Sequence, residues 1–200
     1  MDVASLNDMR KVIYNLIKSF FWDIPKEEDI KAWRNFITNL YEESINREFD
    51  RTITSVKEAL DNSDVESIKN EYYELFENPF GDVLPNFNAS FILEGKNFGE
   101  PLVEIRNFLE DLKAVKDRNY KDTEDSIPFM IDLMLYLIDS DNCADIQQKF
   151  LKKFLYPSFE RLVEILSLNE KAYFYATACL FTRDYLGMDI KFLEDIKSLI

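Results

Sequence analysis

Apolar residues recur every three or four positions along almost the whole chain, which is the spacing of one face of an α-helix. The alternation typical of a strand is missing, and glycine is scarce, with four residues in 200. The pattern therefore predicts an all-α fold, a single helical bundle of about nine to ten helices. The first three apolar stripes consist of Val3, Leu6, Met9, Val12, Ile13, Leu16, Ile17 and Phe20; of Ile30, Trp33, Phe36, Ile37 and Leu40; and of Phe49, Ile53, Val56 and Leu60.

Local signals mark several helix starts. Ser63 and Glu66 have the spacing of a capping box, in which the serine caps the helix and the glutamate reaches back to the cap. Residues 99–101 (Gly-Glu-Pro) place a proline in the first turn of another helix. Ser126 opens a nearly all-apolar helix to about Ile138, which we expect to lie at the centre of the bundle.

Near the end of the sequence, Gly187 and Asp189 predict a helix break. Glycine commonly follows the last turn of a helix, and aspartate is a favoured first-turn cap. We therefore expect one helix from about Asn169 to Gly187, followed by a last short helix that Asp189 caps.

One segment is aromatic without being helical in pattern. Residues 79–98 show no clear period and contain two prolines and two glycines, yet they carry Phe80, Phe87 and Phe91. An unpatterned connection of about twenty residues is uncommon in a compact domain unless it has a function. It is either a lid whose phenylalanines cover the core or one wall of an apolar groove.

A second segment, residues 116–125 (KDRNYKDTED), is polar throughout. It predicts a hinge between two sub-bundles of a single domain that spans residues 1–200. With such a hinge the protein could be a monomer or a domain-swapped dimer.

Composition restricts the function. The chain has 38 acidic and 24 basic residues, a net charge of −14, which repels nucleic acid and suits a cationic partner. It has no histidine, which excludes Ser-His-Asp triads and HExxH zinc sites. Phosphate-binding glycine motifs and DDxxD magnesium motifs are absent as well. Composition therefore excludes several enzyme classes and leaves a Mg²⁺-dependent all-α enzyme that uses Asp and Glu as a less favoured hypothesis.

Other features predict the compartment. Cys143 and Cys179 lie in apolar stretches and are expected to be buried free thiols. The sequence does not open like a signal peptide. Its longest apolar run, residues 127–138, is too short to span a bilayer. These features predict a cytoplasmic protein with no stable membrane insertion.

Four motifs in a fixed order resemble the TorD/NarJ-type maturation chaperones of molybdenum oxidoreductases. An E-Y-x-x-L-F helix end at residues 71–76 precedes the aromatic segment, and FGEPLVEIRNFLEDL at 98–112 follows it. The other two are FLKKFLYPSF at 150–159 and AYFYATACLFTRDYL at 172–186. The resemblance covers roughly residues 63–190 and rests on the order and spacing of the four.

Some positions depart from the family's pattern. Asp125 matches the aspartate of an Asp-His pair, but Ser126 stands in place of the histidine. A serine that is common in the aromatic segment is replaced by Ala89, with Ser90 one position later. Phe154 occupies a position where a second histidine is frequent.

The resemblance implies an all-helical cytoplasmic chaperone that is not an enzyme, and we expect no cofactor and no metal. It would bind the N-terminal, twin-arginine-type leader of the apo-form of an oxidoreductase catalytic subunit until the molybdopterin cofactor is inserted and export is allowed. A generic adaptor for a helix of another protein is the alternative. We expect Asp125 at the rim of the groove, where its carboxylate would accept a hydrogen bond from a leader arginine. The predicted peptide-binding residues are Tyr72, Leu75, Phe76, Phe87, Ser90, Phe91, Asp125 and Ser126.

Overall fold

A computed structural model describes residues 3–43, 45–78, 80, 87–140 and 143–198. This part of the chain is helical and contains no strand, only an isolated bridge, so the all-α prediction is confirmed. The helices are α1 (Val3–Phe21), α2 (Glu27–Glu42), α3 (Arg47–Asn62), α4 (Val65–Tyr72), α5 (Ala89–Glu94), α6 (Glu100–Asp111), α7 (Ile127–Asp139), α8 (Ala144–Phe150), α9 (Tyr156–Ser167) and α10 (Phe174–Ser198).

Two π-helical turns extend these elements. One, Tyr73–Glu77, continues α4, and the other, Leu151–Leu155, joins α8 to α9 without a break. The ten α-helical segments therefore form nine continuous helices in the described part of the chain, as the apolar periodicity predicts.

The long helix α10 organises the bundle. It packs against α3, α8 and α9, and its first turns also reach α4. Helix α1 lies along α7, and α2 lies along α3. As predicted, α7 is apolar on almost every side, and nine of its thirteen residues are buried.

Aromatic rings fill the core between α1, α2 and α10. The ring of Trp33 stacks on Phe174 at a centroid distance of 5.5 Å, and Phe20 meets both rings edge-on. The indole N–H of Trp33 donates to Ser19 Oγ at 2.8 Å, so its one polar atom is satisfied.

The predicted break near the end of the chain is wrong. Helix α10 runs through Gly187 to Ser198, and Asp189 lies inside it rather than at a cap. Its buried carboxylate accepts from Arg10 Nε at 2.6 Å, from Arg10 Nη2 at 2.9 Å and from Tyr14 Oη at 2.7 Å. The aspartate therefore joins α10 to α1.

Three further expectations need correction. The N-cap of α4 is Asp64, whose carboxylate accepts from Ser67 N at 2.7 Å, while Ser63 ends α3. The unpatterned segment contains the short helix α5. Cys143 is exposed, because it precedes α8 rather than lying within it, and Cys179 is buried as expected.

The polar segment 116–125 connects α6 to α7 through turns. Several contacts tie it to the bundle: Arg106 on α6 donates to Glu124 at 3.0 Å, and the ring of Tyr120 meets Phe129 and Trp22 edge-on. Its role as a hinge stays a prediction.

Across the described helices, none is both long and apolar enough to cross a membrane.

Candidate functional site

The aromatic segment returns to the bundle beside the start of α7. Ile127 N donates to Phe87 O at 2.8 Å, and Ala89 N donates to Asp125 O at 2.8 Å. Asn88 and Ser126 thus form an antiparallel bridge. Two segments that are almost forty residues apart in sequence, and that contain five of the eight predicted site residues, are therefore held side by side.

Asp125 does not lie at a rim. Its side chain is 1% exposed, and both carboxylate oxygens are occupied. One accepts from Ser90 N at 3.1 Å and Ser90 Oγ at 2.6 Å, and the other accepts from Thr123 Oγ1 at 2.6 Å. The rim position predicted for Asp125 is wrong, because these local donors draw the carboxylate inwards.

Ser126 is the residue that caps α7. Its hydroxyl accepts from Phe129 N at 3.3 Å, which satisfies one of the free backbone donors of the first turn. Ser126 was expected to open this helix, and the structure confirms it. The structure gives the cap to Ser126 and leaves Asp125 to bind the first turn of α5.

Phe87 belongs to an aromatic cluster that extends into the core. Its ring lies 4.2 Å from that of Phe76 and 5.7 Å from that of Phe21, centroid to centroid. Phe76 in turn contacts Tyr72 at 5.2 Å and Tyr175 at 5.2 Å. The inner face of Phe87 therefore covers the core, as the lid interpretation expects.

The outer face of Phe87 borders a cleft of about 420 Å³, which we call the Phe87 cleft. Of the predicted residues, Tyr72, Phe87 and Ser126 line it. Leu75, Phe76, Ser90 and Asp125 are buried and Phe91 is half-buried, and none of these five lines it. Its lining consists of Phe21, Trp22, Tyr72, Phe87, Asn88, Asn97, Phe98, Lys121, Asp122, Thr123, Ser126 and Pro128.

Sequence analysis missed two aromatic residues of this cleft. Phe98 is 74% exposed and has a positive φ of 58°, which is strained for a residue with a side chain. Trp22 is 51% exposed, just beyond the end of α1. No sequence pattern marks Trp22 as a site residue. Phe98 begins the FGEP motif, and it could have been predicted as a site residue for that reason.

The lining of the cleft carries one cationic side chain, Lys121, and one carboxylate, Asp122, and further carboxylates lie near Tyr72. Burial raises the pKa of the Tyr72 phenol, and the carboxylates of Glu77, Asp23 and Asp122 raise it further. Among the described residues, none of these three carboxylates forms an ion pair. The cleft is thus aromatic inside and negatively charged around Tyr72, a combination that suits an apolar ligand with a cationic end.

Phe80 is 93% exposed, and residues 79 and 81–86 lie outside the described part of the chain.

The family model of the nitrate reductase delta subunit matches residues 42–164, more than half of the chain. The chain belongs to the nitrate reductase delta subunit family. Members of this family assist the maturation of redox enzymes and are not themselves catalysts, so the chain is a maturation chaperone and not an enzyme.

The fold has a counterpart among solved structures. The crystal structure of a proposed redox enzyme maturation protein from Archaeoglobus fulgidus matches with a TM-score of 0.54 at 17% identity, covering 90% of this chain and 94% of that one. At this identity the match establishes a shared fold. A search of curated proteins gives no match.

In this nitrate reductase delta family member, the glutamate of the E-Y-x-x-L-F motif caps the last helix. The Glu71 carboxylate accepts from the backbone N–H groups of Tyr173 at 2.8 Å, Phe174 at 3.0 Å and Tyr175 at 2.7 Å. These are donors that the start of α10 would otherwise leave unsatisfied. Glu71 thereby fixes Tyr175 against Phe76, behind the cleft.

Proposed function

We propose that this family member binds the N-terminal, twin-arginine-type leader of a molybdenum oxidoreductase catalytic subunit in the Phe87 cleft. It would hold the apo-form of that subunit in the cytoplasm until the cofactor is inserted and export is allowed. The observation that carries the proposal is the composition of the cleft: aromatic walls lie beside carboxylates that have no cationic partner within the described residues.

The cleft fits the chemistry of a leader. Such a peptide has an apolar stretch that follows positively charged residues, so its receptor needs an apolar groove with negative charge nearby. Phe87, Phe98 and Trp22 offer the apolar surface. Asp23, Glu77 and Asp122 offer the negative charge, in place of the rim role first expected of Asp125.

The predicted site residues then have two kinds of role. Tyr72, Phe87 and Ser126 would contact the peptide, because they line the cleft. The other five would support it from behind. Asp125 and Ser90 hold the aromatic segment in place, and Phe76 supports the ring of Phe87.

Calorimetric titration tests this function. The probe is a synthetic leader-type peptide with two adjacent arginines followed by an apolar stretch, and we expect it to bind. The affinity should fall as salt rises from 0.1 to 1 M, because the Debye length shrinks from about 10 to about 3 Å. A peptide whose apolar residues are replaced by serine should not bind. If no leader-type peptide binds even at low salt, the proposed function is wrong.

A further inference from the structure

Two clefts meet at Trp22. Beside the Phe87 cleft lies a second one of about 410 Å³, which we call the Asp23 cleft. Trp22 lines both, so its half-exposed indole forms the partition between them. The Asp23 cleft is lined by Asn15, Lys18, Ser19, Trp22, Asp23, Ile24, Pro25, Lys26 and Asp29.

The indole of Trp22 already binds a cation within the protein. Lys18 Nζ lies 4.4 Å from the centroid of the ring, within the range of a cation–π interaction. The same ammonium is held by both carboxylate oxygens of Asp132, at 2.7 and 2.8 Å. The charge of Lys18 is therefore compensated from another helix, and it does not cancel the negative groups beside Trp22.

The position of Trp22 in the chain favours a second cation there. Helix α1 ends at Phe21, so Trp22 and Asp23 follow directly on its carboxyl end. The last carbonyl groups of a helix carry partial negative charge and attract cations. The Asp23 carboxylate accepts from Ile24 N at 2.8 Å and forms no ion pair among the described residues.

The charged residues that line the Asp23 cleft also favour a cation beside Trp22. With Lys18 compensated by Asp132, Lys26 faces two carboxylates, those of Asp23 and Asp29. Asp29 accepts from Lys26 N at 2.8 Å and has no ion pair within the described residues either. The balance on this side of Trp22 is therefore negative.

We propose that the partition at Trp22 and Asp23 is an arginine subsite, which rests on the proposed function. A guanidinium of the leader stacks on the exposed part of the Trp22 indole and donates to Asp23 at the carboxyl end of α1. The apolar residues of the same peptide enter the Phe87 cleft on the other side of the indole. Arginine is preferred to lysine, because a planar guanidinium lies flat on an indole and donates through a rigid pair of N–H groups, whereas an ammonium is a compact point charge without this planar geometry.

Tryptophan fluorescence reports directly on contact between the peptide and Trp22. The protein has two tryptophans, and Trp33 is 1% exposed, so a neutral quencher such as acrylamide reaches mainly Trp22. Binding of the double-arginine peptide should protect Trp22 from quenching. A peptide of the same apolar stretch with glutamines in place of the arginines should protect it less at equal occupancy.

Variants of the full chain complete the test. Wild-type protein should bind the double-arginine peptide about three- to tenfold more tightly than its double-lysine counterpart. Asp23→Asn should reduce this preference while the affinity for the glutamine peptide stays unchanged. Trp22→Leu should also reduce the preference, and it should weaken the glutamine peptide as well, because the indole offers apolar surface to the Phe87 cleft. Tyr136→Leu and Asp111→Asn alter an exposed aromatic residue and an exposed carboxylate that line neither cleft, and they should behave as wild type.

The outcomes separate this inference from the proposed function. If the leader peptide binds but arginine and lysine are equivalent, or Trp22→Leu leaves the preference intact, the arginine subsite is wrong and the Phe87 cleft remains the binding site. If no peptide binds at all, both proposals are wrong.

Discussion

Ser90 donates two hydrogen bonds to the same carboxylate oxygen of Asp125, one from its backbone N at 3.1 Å and one from its hydroxyl at 2.6 Å. Both residues are buried. The pair joins the first turn of α5 to the end of the segment 116–125. Asp125 therefore supports the wall of the cleft and is not available to bind a ligand from solution.

Asp125→Asn should destabilise the protein. An asparagine has one acceptor oxygen where the aspartate has two, and its NH₂ group would face either Ser90 or Thr123 as a second donor. Loss of a hydrogen bond to a charged group costs about 1.5–3 kcal/mol, and each 1 kcal/mol lowers the Tm of a chain of this size by about 2–4 °C. Chemical and thermal unfolding measure the effect. Equal stability of the variant and wild type would show that the carboxylate contributes nothing beyond what an amide can.

Asp122→Asn is the matched change on the surface of the cleft. Its carboxylate is exposed and forms no ion pair in the described chain, so stability should stay the same. Binding of the double-arginine peptide should weaken by up to about fivefold and depend less on salt, as expected for an exposed charge pair. Calorimetry at two salt concentrations checks both effects. An unchanged salt dependence would exclude Asp122 from the acidic surround.

Phe98→Ala and Phe87→Ala should separate binding from packing. Phe98 is mostly exposed, so its loss should weaken peptide binding and leave the Tm unchanged. Phe87 packs on Phe76 and Phe21, so its loss should weaken binding and also cost about 1–3 kcal/mol of stability, less than a fully buried phenylalanine. Peptide titration and thermal unfolding of both variants are the measurements. If Phe87→Ala lowers stability but binds normally, the segment is only a lid.

The sequence predicts well those features that depend on near neighbours. Apolar periodicity locates the helices, because one face of each must be buried. The cap of α7 by Ser126 needs only a serine three residues before a free N–H. The aromatic cluster of Tyr72 and Phe76 follows from their spacing on one helical face.

Features that depend on distant residues are not predictable in this way. Asp189 pairs with Arg10, 179 positions away, and no local sequence pattern around either residue predicts the contact. The same holds for Glu71, whose carboxylate caps a helix about a hundred residues later. Asp125 was expected at the rim of the groove, yet it is buried and its carboxylate accepts from Ser90 in α5. Trp22 was missed because only the fold brings it beside Phe87.

Gly187→Ala should stabilise the protein. Glycine within a helix is unfavourable by about 0.5–1 kcal/mol relative to alanine, and Gly187 lies inside α10 with an ordinary negative φ. An added Cβ would lie 3.5 Å from Tyr156 Cε2, which is a normal contact. Denaturant unfolding should show a gain of that size. Gly95→Ala is the control: it should destabilise, because Gly95 has a φ of 71°. A loss of stability in Gly187→Ala would show that the glycine is needed against Tyr156.

Glu71 should make stability depend on pH in a direction opposite to that of its neighbour Glu74. Burial raises the pKa of Glu71 above its ordinary value of 4.5, outweighing the three backbone N–H groups that lower it. The folded state therefore takes up a proton before the unfolded state does, and Glu71 contributes more to stability as the pH falls through its folded pKa towards 4.5.

For Glu74 the sign is reversed, since hydrogen bonds from Lys171 and then Asn78 lower its pKa. Its contribution is present above 4.5 and is lost as the pH falls below that value. Comparing wild type with Glu71→Gln and with Glu74→Gln, by denaturant unfolding between pH 7 and pH 3, isolates each group because all other carboxylates cancel. The advantage of wild type over Glu71→Gln should grow on acidification, and its advantage over Glu74→Gln should shrink. If the unfolding free energies of the two variants followed parallel curves against pH, the cap of α10 would not be held by a desolvated carboxylate.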